Sequence, residues 1–422
     1  MADPDKILTI NSGSTSLKFA LFQMASLERR LLSGKLEHLG AGEGLCEAHD
    51  AQGTTVWQER LPLPDHRAGL ARFFSWLESV SPTSGLDAVG HRLVHGGPTF
   101  GAPRLLTSPV LQKLQDLSGL APEHLPHELE AVRSIRKLQP DLPQVGCFDT
   151  AFHRSMPPWA RTYALPLSLR REGLVRYGFH GISCEYLLSV LQTILPTERA
   201  RGRIVLAHLG GGASMTAVRE GKSVDTTMGF TPTSGLVMGT RCGDLDPGIV
   251  LYLLRERGLR LTTVARLLSE ESGLLALSER SGEMRDLLCA EASDEKAAAA
   301  VEIFCYQARK FLGSLAAALG GLDLLVFSGG IGEHAPEIRE RICSPLGFLG
   351  LQLDPERNQK NEPVISSEAS PVEIRVVPTD EERMIARQTR ALIRSGRASL
   401  EPEKLSADLT PLPRREEGHP FG

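Results

Sequence analysis

IVLAHLGGGASMTAVREGKSVDTTMGFTPTSGLVMGTRCGDLD, residues 204–246, is the stretch from which the chain is best read. An apolar run, Ile204 to Ala207, ends in His208 and the three glycines Gly210, Gly211 and Gly212. A second run, Ala213 to Val218, leaves the turn. This is strand, glycine turn, strand. Glycines there let backbone N–H groups approach an anion without a Cβ in the way. Downstream, Asp225, Arg241, Asp244 and Asp246 lie among Gly229, Gly235, Gly239 and Gly243. So long a polar, glycine-rich passage makes a poor core element and suits active-site loops.

The same pattern opens the chain. Ile7 to Ile10 runs into Asn11-Ser12-Gly13-Ser14-Thr15-Ser16, and Leu17 to Leu21 follows. The two hairpins form a weak internal repeat, which implies two related halves facing one another across a cleft. A meander is expected over residues 30–63 and an amphipathic helix over His66–Val80. A strand over Leu86–Val94 ends in His95-Gly96-Gly97, a helix spans Pro122–Leu138, and a strand at Gln144–Phe148 delivers Asp149 to its C-terminal end, where open α/β sheets bind ligands. Beyond the central stretch, short helices are expected over Pro247–Arg257 and Thr262–Ser269 and a long one over Lys296–Leu319, with Val301, Phe304, Phe311, Leu315 and Leu319 on its buried face. A strand at Leu322–Phe327 runs into Ser328-Gly329-Gly330-Ile331-Gly332-Glu333, with a helix from Pro336. Ile374–Val377 and Glu381–Ile393 supply the last strand and helix. Residues after about Ala398, rich in Pro, Glu, Arg and Ser, read as a disordered tail.

Three glycine turns, each after an apolar strand, favour a nucleotide cleft. A P-loop is excluded: Gly221-Lys222-Ser223 supplies its last letters, but the required first glycine falls on Thr216 and no helix follows. With 422 residues the chain suits two or three domains. A net charge of −4 gives no basic field for nucleic acid. No apolar run approaches a membrane span, and MADPDKILTI has no apolar signal core, so a cytoplasmic location is expected. The seven cysteines are scattered and never in CxxC spacing, which fits a reducing compartment and offers no zinc site.

Phosphoryl transfer needs cations and a hydrogen-bond donor aimed at the equatorial oxygens, and oxygen ligands near Mg²⁺. Arg92, Arg241 and His180 suit the first two roles, since each lies beside glycine or in a polar loop. His91/His95 and His124/His127 have spacings a metal could use, but with no third ligand evident beside them a structural role or phosphate contact is the better expectation.

Asn11-Ser12-Gly13-Ser14-Thr15-Ser16-Leu17-Lys18 resembles the opening signature of the acetate kinase family. His91 to Gly97, Phe148 to His153, Arg176 to Gly181, Ser223 to Pro247, Gly329 to Glu333 and Pro378 to Glu382 resemble its further segments, in family order over residues 7 to about 395. The resemblance implies an α/β, two-domain actin/hexokinase/Hsp70-type (ribonuclease H-like) fold with the nucleotide between the domains. One domain would comprise residues 1–152 with a returning helix at 380–397, the other residues 153–379, leaving 398–422 as tail. It implies transfer of the ATP γ-phosphoryl to acetate, giving acetyl phosphate and ADP, with Mg²⁺ or Mn²⁺, in a homodimer. By position, Asn11 and Glu381 match the metal environment. Ser14, Ser16 and Lys18 match the first phosphate turn. Arg92 and Arg241 match the clamp on phosphoryl and carboxylate, His180 the transition-state histidine and Asp149 the essential carboxylate. His208, Leu209, Gly210, Gly211 and Gly212, then Glu283, Met284 and Arg285, and finally Gly330, Ile331, Gly332, Glu333 and His334, match the nucleotide loops.

Some positions depart from the family pattern. Gly211 stands where the family has asparagine, Ile182-Ser183-Cys184 where it has Thr-Ser-His, and Glu283 where it has Asp. Ala121-Pro122-Glu123-His124-Leu125-Pro126 replaces Ala-Pro-Leu-His-Asn-Pro. Val94, Phe179 and Pro232 keep an apolar acyl pocket, and His124 keeps a histidine near the phosphate. Glu123, however, puts a carboxylate beside the acyl methyl. It must turn away, find a cation or meet a polar substrate. Propionate or a hydroxylated acid is therefore the rival substrate. The rival of another class is a non-catalytic nucleotide-binding sensor or scaffold.

Overall fold

The computed structural model describes residues 6–25, 27–40, 42–80 and 85–396; the expected tail from 398 onward lies outside them. Two sheets carry the architecture. The first contains β1 (Lys6–Ser12), β2 (Ser16–Met24), β3 (Glu28–Glu37), β4 (Glu43–Asp50), β5 (Thr55–Pro62), β6 (Ala88–Leu93), β7 (Arg104–Leu105) and β8 (Gln144–Phe148). Their order is β5-β4-β3-β2-β1-β6-β8-β7. The second contains β9 (Ile204–Leu209), β10 (Ala213–Arg219), β11 (Lys222–Thr226), β12 (Leu324–Ser328) and β13 (Glu373–Val376), in the order β11-β10-β9-β12-β13.

The two sheets share a plan. In each, an antiparallel meander, of five strands in the first sheet and three in the second, is followed by two strands added parallel on the far side of its first strand: β6 and β8 beside β1, and β12 and β13 beside β9. The resemblance between the two hairpins is thus part of a five-strand repeat, the ribonuclease H-like order in an α/β two-domain fold. Buried parallel strands are covered on both faces and read as continuous apolar runs. Accordingly β8 and β12 are buried along their whole length.

Alternation along the strands divides the layers. Leu8, Ile10, Phe19 and Leu21 face the helices His66–Val80 and Leu125–Leu138, meeting Leu70, Phe73, Ala131 and Ile135. Trp57 and Trp76 stack there at 4.6 Å. Ile7, Ala20, Phe22 and Ala88 face the other way, onto Ala386 of the helix Glu381–Arg394. In the second sheet Val205, Ala207, Met215 and Phe327 pack on the long helix Glu295–Leu319, through Val301, Phe304 and Leu312. Ile204, Leu206, Val218 and Val326 pack on the helix Gly181–Ile194 through Leu187, Leu188 and Leu191.

Several boundaries differ from expectation. The helix expected from Pro122 begins at Leu125, because residues 122–124 form a turn. The Ser328–Glu333 turn opens directly into a short helix, Gly329–His334. The helix Gly181–Ile194 was not anticipated, because it is apolar on most sides and shows little amphipathic periodicity. Among the described residues no helix is long and apolar enough to cross a membrane.

Candidate active site

The register of the first sheet brings three polar side chains together. Ile10 of β1 lies opposite His91 of β6, and Arg92 lies opposite Cys147 of β8. Asn11, Arg92 and Asp149 therefore emerge side by side at strand ends. Arg92 donates to Asn11 Oδ1 at 3.3 Å through Nη1, and through Nη2 to Asp149 Oδ2 in a short ion pair. Asp149 is fully buried, and its N–H donates to Leu93 O at 3.0 Å. Its other oxygen, Oδ1, has no partner among the described residues. Burial opposes the charge on Arg92, but Asp149, Glu381 and Glu128 outweigh it and push its pKa up. Burial also raises the Glu381 carboxyl to about 7; Arg92 pulls it back, while Asp149 pushes it further up.

Glu128 escaped the sequence reading. Both its oxygens accept the Val94 N–H, at 3.2 and 3.0 Å, and burial raises its pKa to about 8 against the pull of Arg92. Only its position within a buried helical face could have signalled it.

Loops beside the second sheet supply the opposing groups. His180 adopts a left-handed backbone, φ +56°, immediately before the helix Gly181–Ile194. Such a φ is uncommon outside glycine and often marks a functional site. The Gly181 N–H donates to Asp149 O at 2.9 Å, tying this turn to the first sheet. His180 Nδ1 lies 2.9 Å from Ser214 Oγ, and its ring stacks on His208 at 4.3 Å. His208 Nδ1 lies 2.9 Å from Ser183 Oγ, which in turn is 2.8 Å from Thr379 Oγ1. Burial, with His208, Arg92 and Arg241 nearby, holds His180 well below the ordinary imidazole pKa. A Cβ on Gly212 would lie 3.3 Å from His180 Nε2 and 3.7 Å from Arg241 Nη1, so these atoms share one corner of the glycine loop. Arg241 Nη1 donates to Pro232 O at 3.2 Å. Burial and then Arg92 lower its pKa, while Glu123 raises it.

Val94 and Phe179 are buried in one cluster with Leu93 and Phe148. His124 is held at about 4 by burial and by Arg241, Arg92 and His127. Glu123 is exposed and accepts from Ser269 Oγ at 2.9 Å. Its carboxylate thus has a hydroxyl partner, and its charge is felt at Arg241.

A cavity of about 680 Å³ opens beside the second sheet. Gly210, Gly211, Glu283, Met284, Arg285, Gly330, Ile331 and His334, all matched by resemblance to nucleotide loops, line it. Gly282, Leu288, Cys289, Ala335 and Glu337 also line it, and nothing in their residue types singles them out in the sequence. Other expected nucleotide residues do not line it. Leu209 and Gly332 are buried, and Glu333 Oε1 accepts from the Gly329 and Thr379 N–H groups at 2.8 and 3.1 Å. Glu333 therefore braces the loop from behind. His208 and Gly212 sit with His180 instead. Ser14 lies in the β1–β2 turn and Ser16 opens β2, and Lys18 lines a separate hollow with Arg30, Lys35, His49 and Glu382.

Comparison with known proteins is consistent along the chain. The family model described as the acetokinase family matches residues 6–387. An acetate kinase of Rhodopseudomonas palustris is 45% identical over 399 residues, covering 93% of this chain and all of the relative. One of Halothermothrix orenii is 41% identical, covering 92% of this chain and all of the relative. Among solved structures, a propionate kinase from Francisella tularensis matches with TM-score 0.87 at 36% identity, over 92% of this chain and 99% of that one. A Porphyromonas gingivalis acetate kinase matches with TM-score 0.84 at 37% identity, over 92% of this chain and all of that one.

Proposed function

The chain belongs to the acetokinase family, and from that premise we propose that it transfers the γ-phosphoryl of ATP reversibly to the carboxylate of acetate, giving acetyl phosphate and ADP. The observation that carries this reading is the Arg92–Asp149 pair at the ends of one sheet set against Arg241 and His180 in loops beside the other.

The chemistry follows from charge. Acetate is already ionised near neutral pH, so no strong base is required. Its oxygen attacks the γ-phosphorus as the bond to the β–γ bridging oxygen breaks, and ADP leaves with that electron pair. Anion approaches anion, and the guanidinium groups of Arg92 and Arg241 offset the repulsion. His180 is neutral before substrate enters. If the Ser214 hydroxyl donates to Nδ1, Nε2 keeps its proton and can donate to an equatorial phosphoryl oxygen. Asp149 holds Arg92 in place rather than abstracting a proton.

The residues present fit Mg²⁺. Asn11, Asp149 and Glu381 offer hard oxygen donors, and the orphaned, buried Asp149 Oδ1 needs a cation or a metal-bound water. Mg²⁺ or Mn²⁺ held there would neutralise charge on the β- and γ-phosphates. The 680 Å³ cavity is the natural seat for the nucleoside.

Acetate is favoured over a hydroxylated acid because Glu123 is engaged by Ser269, and Val94 and Phe179, buried in one cluster, would give with Pro232 an apolar wall. Propionate is the second reading. One methylene in such a pocket is worth about 1–3 kcal/mol, and the Francisella neighbour is a propionate kinase. Retention of Asn11, Arg92, Asp149, His180, Arg241 and Glu381 together argues against a non-catalytic sensor.

The working unit is a homodimer, with 1–152 and 380–397 forming one domain and 153–379 the other. No residue of the helix Pro247–Arg255 is buried, and Ile249, Leu251 and Tyr252, with Leu261 beyond it, are exposed apolar groups suited to a second copy. Free thiols throughout favour the cytoplasm. Hydroxamate trapping of acyl phosphate, with Mg-ATP and acetate, propionate, butyrate, glycolate or lactate, tests the substrate. Acetate should dominate in the wild type and in Glu123→Leu; a good hydroxy acid, or rescue of poor acetate turnover by the leucine, would overturn the assignment. Failure with every acid would favour the sensor.

A further inference from the structure

We infer that His66, His127 and Glu130 form a binding site for one divalent transition-metal ion of the Zn²⁺ class, separate from the Asn11–Asp149–Glu381 oxygen site. The ligand atoms of the three residues lie within 4.8 Å of one another. A tetrahedral ion with bonds of about 2.0–2.1 Å sets its ligands about 3.4 Å apart, so small side-chain rotations close the set.

Three features converge on this reading. His127 and Glu130 are one turn apart on the helix Leu125–Leu138, which puts both on one face. His66 begins the helix His66–Val80, and its ring lies 5.6 Å from that of His127 at an interplanar angle of 22°. His66 is only 5% exposed, and its Nε2 lies 2.7 Å from Gly13 O. A carbonyl only accepts, so Nε2 carries the proton and Nδ1 keeps its lone pair. That backbone anchor is the outer-shell bond by which metal-binding histidines are oriented. Two imidazoles and a carboxylate suit Zn²⁺, Co²⁺ or Ni²⁺, whereas Mg²⁺ prefers oxygen throughout. The sequence pointed to the His124/His127 pair and found no third ligand. The fold instead pairs His127 with His66, brought in from 61 residues upstream, and leaves His124 by the two arginines.

The anchor also gives the site a reach. Gly13 belongs to the β1–β2 turn that carries Ser14 and leads into Ser16, so a bound ion fixes that turn through His66.

The test uses the full chain without a polyhistidine tag, stripped with EDTA and returned to buffer containing excess Mg²⁺. Co²⁺ is titrated and followed by its visible d–d bands, and Zn²⁺ is titrated against a chromophoric chelator. One equivalent of each should bind, without the near-ultraviolet band of a cobalt–thiolate bond. Zn²⁺ should raise the melting temperature. His127→Ala should abolish binding, and Glu130→Gln, an exposed change that leaves the fold alone, should weaken it by about tenfold or more. Absence of a stoichiometric equivalent, a thiolate band pointing to exposed Cys289, or equal binding by wild type and Glu130→Gln would each overturn the assignment.

Discussion

Single residues at the cleft divide into groups that act on charge and groups that place them. Among the described residues the Arg241 guanidinium donates to Pro232 O and Met238 Sδ, and it forms no ion pair. Arg241→Ala should therefore cut kcat by about 10²–10³ or more, the scale of losing one transition-state charge partner, while thermal melting changes little. Steady-state kinetics beside a melting curve checks both. Glu128 is a placing residue with a pH signature. Its carboxyl titrates at about 8 when folded, against about 4.5 when unfolded. Between those values the folded chain keeps a proton that the unfolded chain has released, so rising pH drains stability. Glu128→Gln still accepts the Val94 N–H but removes this loss. The variant's melting temperature should pull ahead of the wild type's steadily from pH 5 to pH 8. The acid side has the opposite sign. His91, His153 and His208 are each held at about 4 by burial, so protonation of the unfolded chain destabilises the fold as pH falls from about 6.5 towards 4.

At the scale of elements, the glycine loops decide what can approach the cavity. Gly329 joins β12 to the helix Gly329–His334 with φ +75°, and a Cβ there would lie 2.7 Å from Leu209 O. Gly329→Ala should cost about 1–3 kcal/mol and weaken nucleotide binding with it, measurable by denaturant titration and by KM for ATP. Gly211 is the contrast: a Cβ meets nothing within 4 Å. Gly211→Asn, which installs the asparagine expected at this turn, should leave stability unchanged and alter only the KM for ATP. The elements most legible in the sequence were those with a strong period and a sharp end. β8 delivering Asp149, the long helix ending at Gly320, and the β9–β10 hairpin were all readable, because continuous apolar runs and glycine stops have local causes. The helix Gly181–Ile194 and the residues Gly282, Leu288 and Ala335 were not, because their burial or exposure depends on partners far away in the chain. Glu333, matched by resemblance to a nucleotide loop, is turned to the Gly329 and Thr379 N–H groups, since the direction of a carboxylate is set by the backbone N–H groups it meets.

For the whole molecule, the repeat of strand order explains how two sheets present matching ends to one cleft. The hairpins alone hinted at it; the parallel strands that complete each half are separated from their hairpins by helices, so the full repeat emerged only in three dimensions. Assembly makes its own prediction. If the exposed face of Ile249, Leu251, Tyr252 and Leu261 meets a second copy, the double change Leu251→Glu and Tyr252→Glu should convert a dimer to a monomer in light scattering. A wild type that is already monomeric would rule that interface out.

The helix Glu381–Arg394 covers one face of the first sheet, which is built mainly from residues before 149. During synthesis that sheet leaves the ribosome more than two hundred residues ahead of its cover. At about 5–20 residues per second, Ile7, Ala20, Phe22 and Ala88 face water or a chaperone for roughly 10–50 s. The first half of the molecule is thus made first and finished last. Slowing translation of the second half should lengthen this vulnerable interval and increase aggregation of a chain whose mature stability is unchanged.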